Sequence, residues 1–104
     1  MEALRSQLSL RARRLVVKVG SGVLSAGSER LDLKTIRRLA RELAGLKAEG
    51  RETLLVSSGA ILAGSERLAL KTRPASIELK QAAAAVGQSR LMRAWEEAFD
   101  KEGL

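Results

Sequence analysis

The run Leu15-Val16-Val17-Lys18-Val19-Gly20-Ser21-Gly22 sets one lysine inside an apolar, β-branched segment that reads as a buried strand and then breaks into a glycine turn. An ammonium in a buried parallel strand is costly unless an anion compensates it, and glycines after the strand let backbone N–H groups come close to a ligand. Phosphate is the natural anion for such a place. The competing reading is a lysine at the strand rim whose long stem carries its amine to water. A second group of interest is Ser57-Ser58-Gly59, which ends the apolar run Thr53-Leu54-Leu55-Val56 and leads into a helical segment. Hydroxyl and N–H donors there suit an anion such as a substrate carboxylate. Taken alone, serines in this place are more often helix N-caps than ligand donors.

The chain has no histidine and no cysteine. Their absence removes Ser-His and Cys-His relays, thiolate catalysis, disulfides and the usual zinc sites. A nucleophilic serine without a base is therefore not expected. Phosphoryl transfer to an acceptor that is already ionised, such as a carboxylate, asks for little proton transfer, because its catalysis is mostly positioning and charge stabilisation. The stretch Gly20-Ser21-Gly22-Val23-Leu24-Ser25 comes near the dinucleotide fingerprint, but its sixth position is serine and more loop residues intervene before a helix opens. No GxxxxGK[ST] loop is present, since Lys18 precedes its glycines.

The elements that must position these residues can be read from periodicity. A strand is expected around Arg14 to Val19, then a loop through Gly20, Gly22, Ser25, Gly27 and Ser28. Asp32 offers an N-cap for an amphipathic helix with apolar residues at Ile36, Leu39, Ala40, Leu43 and Leu46, and Gly50 is placed to end it as a C′ glycine. The strand Thr53 to Val56 follows, so strand, crossover helix and strand make a βαβ unit with parallel strands. Both loops then leave the carboxyl ends of neighbouring strands, the edge where open α/β sheets bind ligands. Lys18, Gly20 and Ser21 are thereby expected to face one site with Ser57, Ser58 and Gly59. A helix from Ala60 to about Leu68 follows, Arg73-Pro74 marks a break, and Ser76 caps a helical stretch reaching Phe99. Gly87 either bends that stretch or permits a close contact, and the alanines at 82–85 suit tight helix–sheet packing. Residues from about Ala3 to Arg13 read as a short basic helix or a loose arm. Two strands alone leave open sheet edges, so either a longer protein continues the sheet or the chain associates with copies of itself.

With 104 residues, a net charge of +7, 45% hydrophobic and 30% charged residues, the composition is that of a soluble globular chain. No apolar run approaches the roughly 20 residues of a membrane span. The first residues combine Arg5, Arg11, Arg13 and Arg14 with acidic Glu2 and lack a secretory core, so a cytoplasmic protein is expected. The charge invites a nucleic-acid reading, but Trp95 and Phe99 are the only aromatic residues and no nucleic-acid-binding signature is present. The same positive field concentrates anionic substrates.

Together, Val16-Val17-Lys18-Val19-Gly20-Ser21, the helix from Asp32, Val56-Ser57-Ser58-Gly59-Ala60, Gly64, Arg73-Pro74 and the block Lys80-Gln81-Ala82-Ala83-Ala84-Ala85-Val86-Gly87-Gln88-Ser89-Arg90-Leu91 resemble the glutamate 5-kinase family of the amino-acid kinase superfamily. The likeness runs from about Leu15 to Leu104. It implies part of a three-layer αβα fold with a parallel, incomplete sheet, and phosphorylation of the L-glutamate side-chain carboxylate by ATP with Mg²⁺ for proline biosynthesis. It also implies that Lys18 acts catalytically on the transferring phosphoryl group, that Gly20 and Ser21 line the phosphate path, and that Ser58, with Ser57 and Gly59, holds glutamate. Gly22 departs from the serine or threonine common in the family, which implies a looser loop. The family's later substrate-binding aspartate and asparagine, its second phosphate-binding lysine, its nucleotide-base pocket and a PUA domain have no counterpart within these residues. The resemblance thus implies the N-terminal, substrate-side portion of a kinase domain, with no turnover by this chain alone. The alternative is a noncatalytic anion-binding or oligomerising module of the same fold.

Overall fold

Successive residues of a strand face opposite sides of the sheet, so an apolar run such as Leu15 to Val19 can be covered on both faces only if two layers flank it. The computed structural model, which describes residues 2–104, supplies one of them. Its elements run α1 (Glu2–Arg11), β1 (Arg14–Val19), α2 (Ser21–Ser25), α3 (Leu33–Ala48), β2 (Glu52–Ser57), α4 (Ala60–Arg67) and α5 (Ile77–Asp100). β1 and β2 form a two-stranded parallel sheet, with Lys18 paired to Val56 and Val19 to Ser57. This is the expected α/β fold with an incomplete parallel sheet.

Val17, Val19 and Leu55 point to the helices, where Val19 joins Leu24, Ile36, Ala40, Leu91, Trp95 and Ala98 in the core. The opposite face is open: Val16 is 67% exposed, Leu54 58% and Val56 51%. Lys18 belongs to that open face and is exposed. The reading of Lys18 as a buried cation is thus corrected. The apolar run suggested cover on both sides, but strand alternation sends Lys18 to the side that no described element covers.

α3 buries Ile36, Ala40 and Leu43, as its spacing predicts. Asp32 stands at the N-cap position but its side chain does not cap the backbone; its Oδ2 instead accepts the Thr35 hydroxyl at 2.6 Å. The other end closes as expected. Gly50 has φ +83°, its N–H donates to the Lys47 carbonyl at 2.9 Å, and the Arg51 N–H donates to the Leu46 carbonyl at 3.2 Å. This paired bonding satisfies the last carbonyls of the helix, and glycine adopts the left-handed turn without steric cost. Arg51 also donates to the Ser9 and Leu10 carbonyls, tying the end of α1 to the start of β2.

Ser76 caps α5, its Oγ accepting the Leu79 N–H at 3.1 Å. Gly87 lies within an unbroken α5 and serves a close contact rather than a bend. A Cβ there would strike the Ala60 carbonyl, and one at Gly64 would strike the Ala83 carbonyl and lie 2.8 Å from the Ala83 Cα. α4 and α5 thus meet backbone to backbone. Among the described residues no helix is long and apolar enough to cross a membrane.

Candidate functional site

β1 ends at Val19, and Gly20 turns the chain straight into α2, where loop was expected. Leu24 anchors this short helix in the core, fully buried, and the Ser25 hydroxyl donates to the Gly22 carbonyl at 3.1 Å. Gly22 sits inside α2, where a Cβ would meet nothing within 4 Å. The looser loop inferred from this glycine is therefore a helical turn, held by its leucine.

β2 ends at Ser57, and the Ser58 N–H donates to the Val19 carbonyl at 2.8 Å, binding the two strand ends together. Gly59 follows, buried, with φ +114°. A Cβ on Gly59 would come 3.1 Å from Leu24 Cδ1 and 3.5 Å from Leu91 Cδ1. Only a residue without a side chain passes between the α2 turn and α5 in this conformation. The two motifs are in contact through these atoms, as their placement on adjoining parallel strands predicts.

The two serines have separate employments. Ser57 faces the core, where its Oγ accepts the Trp95 indole N–H at 3.0 Å and donates to the Ser58 carbonyl at 2.8 Å. Ser58 is exposed, and no hydrogen bond among the described residues engages its hydroxyl. Neither serine caps α4, whose N-cap is Gly59 without a side-chain bond. Helix capping therefore does not account for this motif. Ser58 lies one residue past the end of β2 and is exposed, like Leu54 and Val56 before it.

A crevice of 1270 Å³ opens beside this turn. Ser21 and Gly22 of α2, the turn at Ser57, Ser58 and Gly59, and the first turn of α4 form one side; residues 69–74 and Lys80 of α5 also line it. Lys18 and Gly20 are not in its lining. Four cations border the crevice, Arg30, Lys71, Arg73 and Lys80, against Glu29 and Glu66. Glu66 is already engaged, by Arg90 at 3.4 Å and by the Leu31 N–H at 3.4 Å. The local field is positive and suits an anion with more than one charge. Among the described residues no group of three or more carboxylates stands ready to hold a metal ion.

The profile of the amino acid kinase family matches residues 13–104. This chain belongs to that family. It is 51% identical over 96 residues to a glutamate 5-kinase of Syntrophotalea carbinolica, covering 92% of this chain and 26% of the relative. A glutamate 5-kinase of Geobacter sulfurreducens is 48% identical over 100 residues, 96% of this chain and 27% of its own. One from Thermus thermophilus is 56% identical over 95 residues, 91% of this chain and 25% of its own. The chain spans about a quarter of the length of the curated relatives it matches.

For this kinase-family chain, sequence reasoning did not find the Trp95–Ser57 bond or the Leu24–Gly59 contact, which join residues 38 and 35 positions apart. It also gave no part to the crevice cations. Their available signal was local: Lys71 and Arg73 flank the break before Pro74, and Lys80 sits one turn into α5, four residues before Ala84.

Proposed function

We propose that this segment forms the acceptor side of a glutamate 5-kinase, which phosphorylates the side-chain carboxylate of L-glutamate with ATP to give L-glutamyl 5-phosphate, the first step of proline biosynthesis in the cytoplasm. The observation that carries this reading is the joining of two donor-bearing turns at the carboxyl ends of parallel strands, through the Ser58 N–H to Val19 carbonyl bond and the Leu24–Gly59 contact.

The reaction asks for no protein base. A glutamate side chain with a pKa of about 4.3 is ionised at neutral pH. Its oxygen attacks the γ-phosphorus of ATP, the bond from that phosphorus to the β,γ-bridging oxygen breaks, and ADP leaves carrying the electron pair. Mg²⁺ arrives with ATP as the substrate complex. Lys18 neutralises charge on the migrating phosphoryl oxygens, for which a preorganised cation is most effective. Gly20 and Ser21 line the phosphate path, and the free Ser58 hydroxyl binds glutamate. Gly59 holds the turn in its left-handed conformation. Ser57 acts from behind, through Trp95, so its share in substrate binding is to fix Ser58.

A second reading draws on the open sheet face, where Val16, Leu54 and Val56 are each more than half exposed: a noncatalytic module that binds anions and associates with copies of itself. A coupled ADP-release assay, with and without L-glutamate, separates the two. A polypeptide of the relatives' full length containing this segment is expected to release ADP only when glutamate is present, and the 104-residue chain to release none. No glutamate-dependent release from the longer polypeptide would decide for the module.

A further inference from the structure

The turn after β2 has two peptide groups to orient, and the sheet holds only the first. The Ser57–Ser58 peptide gives its N–H to the Val19 carbonyl at 2.8 Å. The next peptide, Ser58–Gly59, lies past the paired residues of the sheet. Its carbonyl is held instead by the Ser57 hydroxyl at 2.8 Å, and Ser57 Oγ in turn accepts the Trp95 indole N–H at 3.0 Å. We infer that Trp95 is a positioning residue for the acceptor, acting through Ser57 to set the orientation of the Ser58–Gly59 peptide; the inference rests on the glutamate 5-kinase reading.

Each member of this relay has little choice of partner. An indole nitrogen is a donor only, and Trp95 is 4% exposed, so its N–H needs an acceptor inside the protein. Ser57 Oγ is that acceptor. Bonding it turns the hydroxyl oxygen toward α5 and leaves the hydroxyl hydrogen for the Ser58 carbonyl. A trans peptide points its N–H opposite to its carbonyl, so tethering the carbonyl also directs the Gly59 N–H, which no backbone bond among the described residues takes up. The tether acts where sterics are weakest: Gly59, at φ +114°, has no Cβ to oppose rotation of this peptide.

The relay also has a rigid base. Trp95 sits in the core with Val19, Leu24 and Leu91 and stacks on Phe99 with ring centroids 5.9 Å apart. The helix that carries it meets α4 backbone to backbone, Gly87 against Ala60, and Ala60 directly follows Gly59. The indole and the turn it bonds thus belong to one packed unit. Ser57, Ser58 and Gly59 line the crevice and Trp95 does not, so Trp95 works only on the orientation of groups that do. An acceptor that meets a turn already oriented loses no affinity to ordering it.

The test is a double-mutant cycle in the full-length enzyme carrying this segment. Trp95→Phe keeps an aromatic ring in the core and removes the N–H. It is expected to raise the glutamate KM about fivefold, the scale of one neutral hydrogen bond, with kcat and the ATP KM each within about twofold. Ser57→Ala should raise the glutamate KM by a similar factor, and adding Trp95→Phe to Ser57→Ala should raise it no further, because the relay is already broken. An unchanged glutamate KM in Trp95→Phe, or a double variant whose KM rises by the product of the two single effects, would overturn the assignment while leaving the kinase reading intact. Should Trp95→Phe not fold, Ser57→Thr, which keeps a hydroxyl, is expected to hold the parental KM where Ser57→Ala loses it, and equal KM values in those two variants would overturn the assignment as well. Absence of glutamate-dependent ADP release in the unsubstituted enzyme would overturn both readings.

Discussion

At the end of β2 the chain turns inside a frame: Ser57 is bonded to Trp95, Gly59 passes between Leu24 and Leu91, and Ala60 lies against Gly87. At the end of β1 the side chain of interest has no such frame. Lys18 stands on the open face beside Val16 and opposite Val56, exposed and without an ion pair among the described residues. The backbone of the two turns is equally fixed, since one hydrogen bond and one side-chain contact tie them together. Their functional groups are not. An acceptor turn that must discriminate between carboxylates gains from rigidity before the substrate arrives, whereas a cation acting on a migrating phosphoryl group is needed only at the transition state. Lys18 in this chain keeps its stem entropy until something anionic holds it.

The largest expected effect tests the looser side. In a full-length kinase, Lys18→Ala is expected to lower kcat by about 10²–10³ with little change in the glutamate KM, because its contact tightens as charge moves onto the phosphoryl oxygens. Steady-state rates at saturating ATP and glutamate read this directly. A near-normal kcat would remove Lys18 from the reaction.

The next effect tests the frame by comparing two helical glycines. Gly87→Ala places a methyl group against the Ala60 backbone and is expected to lower stability by about 2–3 kcal/mol, since a backbone atom cannot move aside as a side chain can. Gly45→Ala, in α3, meets nothing within 4 Å and is expected to raise stability by up to about 1 kcal/mol from helix propensity alone. Thermal unfolding of the full-length variants should therefore shift in opposite directions. Shifts of the same sign would mean that the α4–α5 crossing is not the close one described.

How far the sequence carried these distinctions follows from which physics each obeys. Local rules were legible: the 3.6-residue spacing of Ile36, Ala40 and Leu43, the Ser76 cap and the Gly50 stop each depend on neighbours a few positions away. The adjacency of the two turns was legible as well, because parallel pairing of consecutive strands follows from a βαβ order. Asp32 shows where a local rule yields to competition, its carboxylate bonding Thr35 instead of the backbone. The exposure of Lys18 was legible only as one of two readings, since an apolar run shows that a strand suits cover and not how many layers supply it. Nor could the sequence separate Ser57 from Ser58. Which of two adjacent serines faces inward depends on the parity of the whole strand against α5, and the partner that decides it, Trp95, lies 38 residues away.

That adjacent pair gives the smallest and sharpest test. Ser57→Ala leaves the buried Trp95 indole N–H without its acceptor, so it is expected to cost about 1–3 kcal/mol of stability. Ser58→Ala removes a hydroxyl that bonds nothing among the described residues, so stability should change by less than about 0.5 kcal/mol while the glutamate KM rises. Measuring unfolding midpoint and KM on both variants of the full-length enzyme separates the roles: Ser57 should move the midpoint most, Ser58 the KM. A Ser58→Ala variant with an unchanged glutamate KM would show that the exposed hydroxyl is not the acceptor anchor. A Ser57→Ala variant as stable as the parent would show that the turn is held by Gly59 and Leu24 alone, and the frame around β2 would then rest on packing without help from the indole.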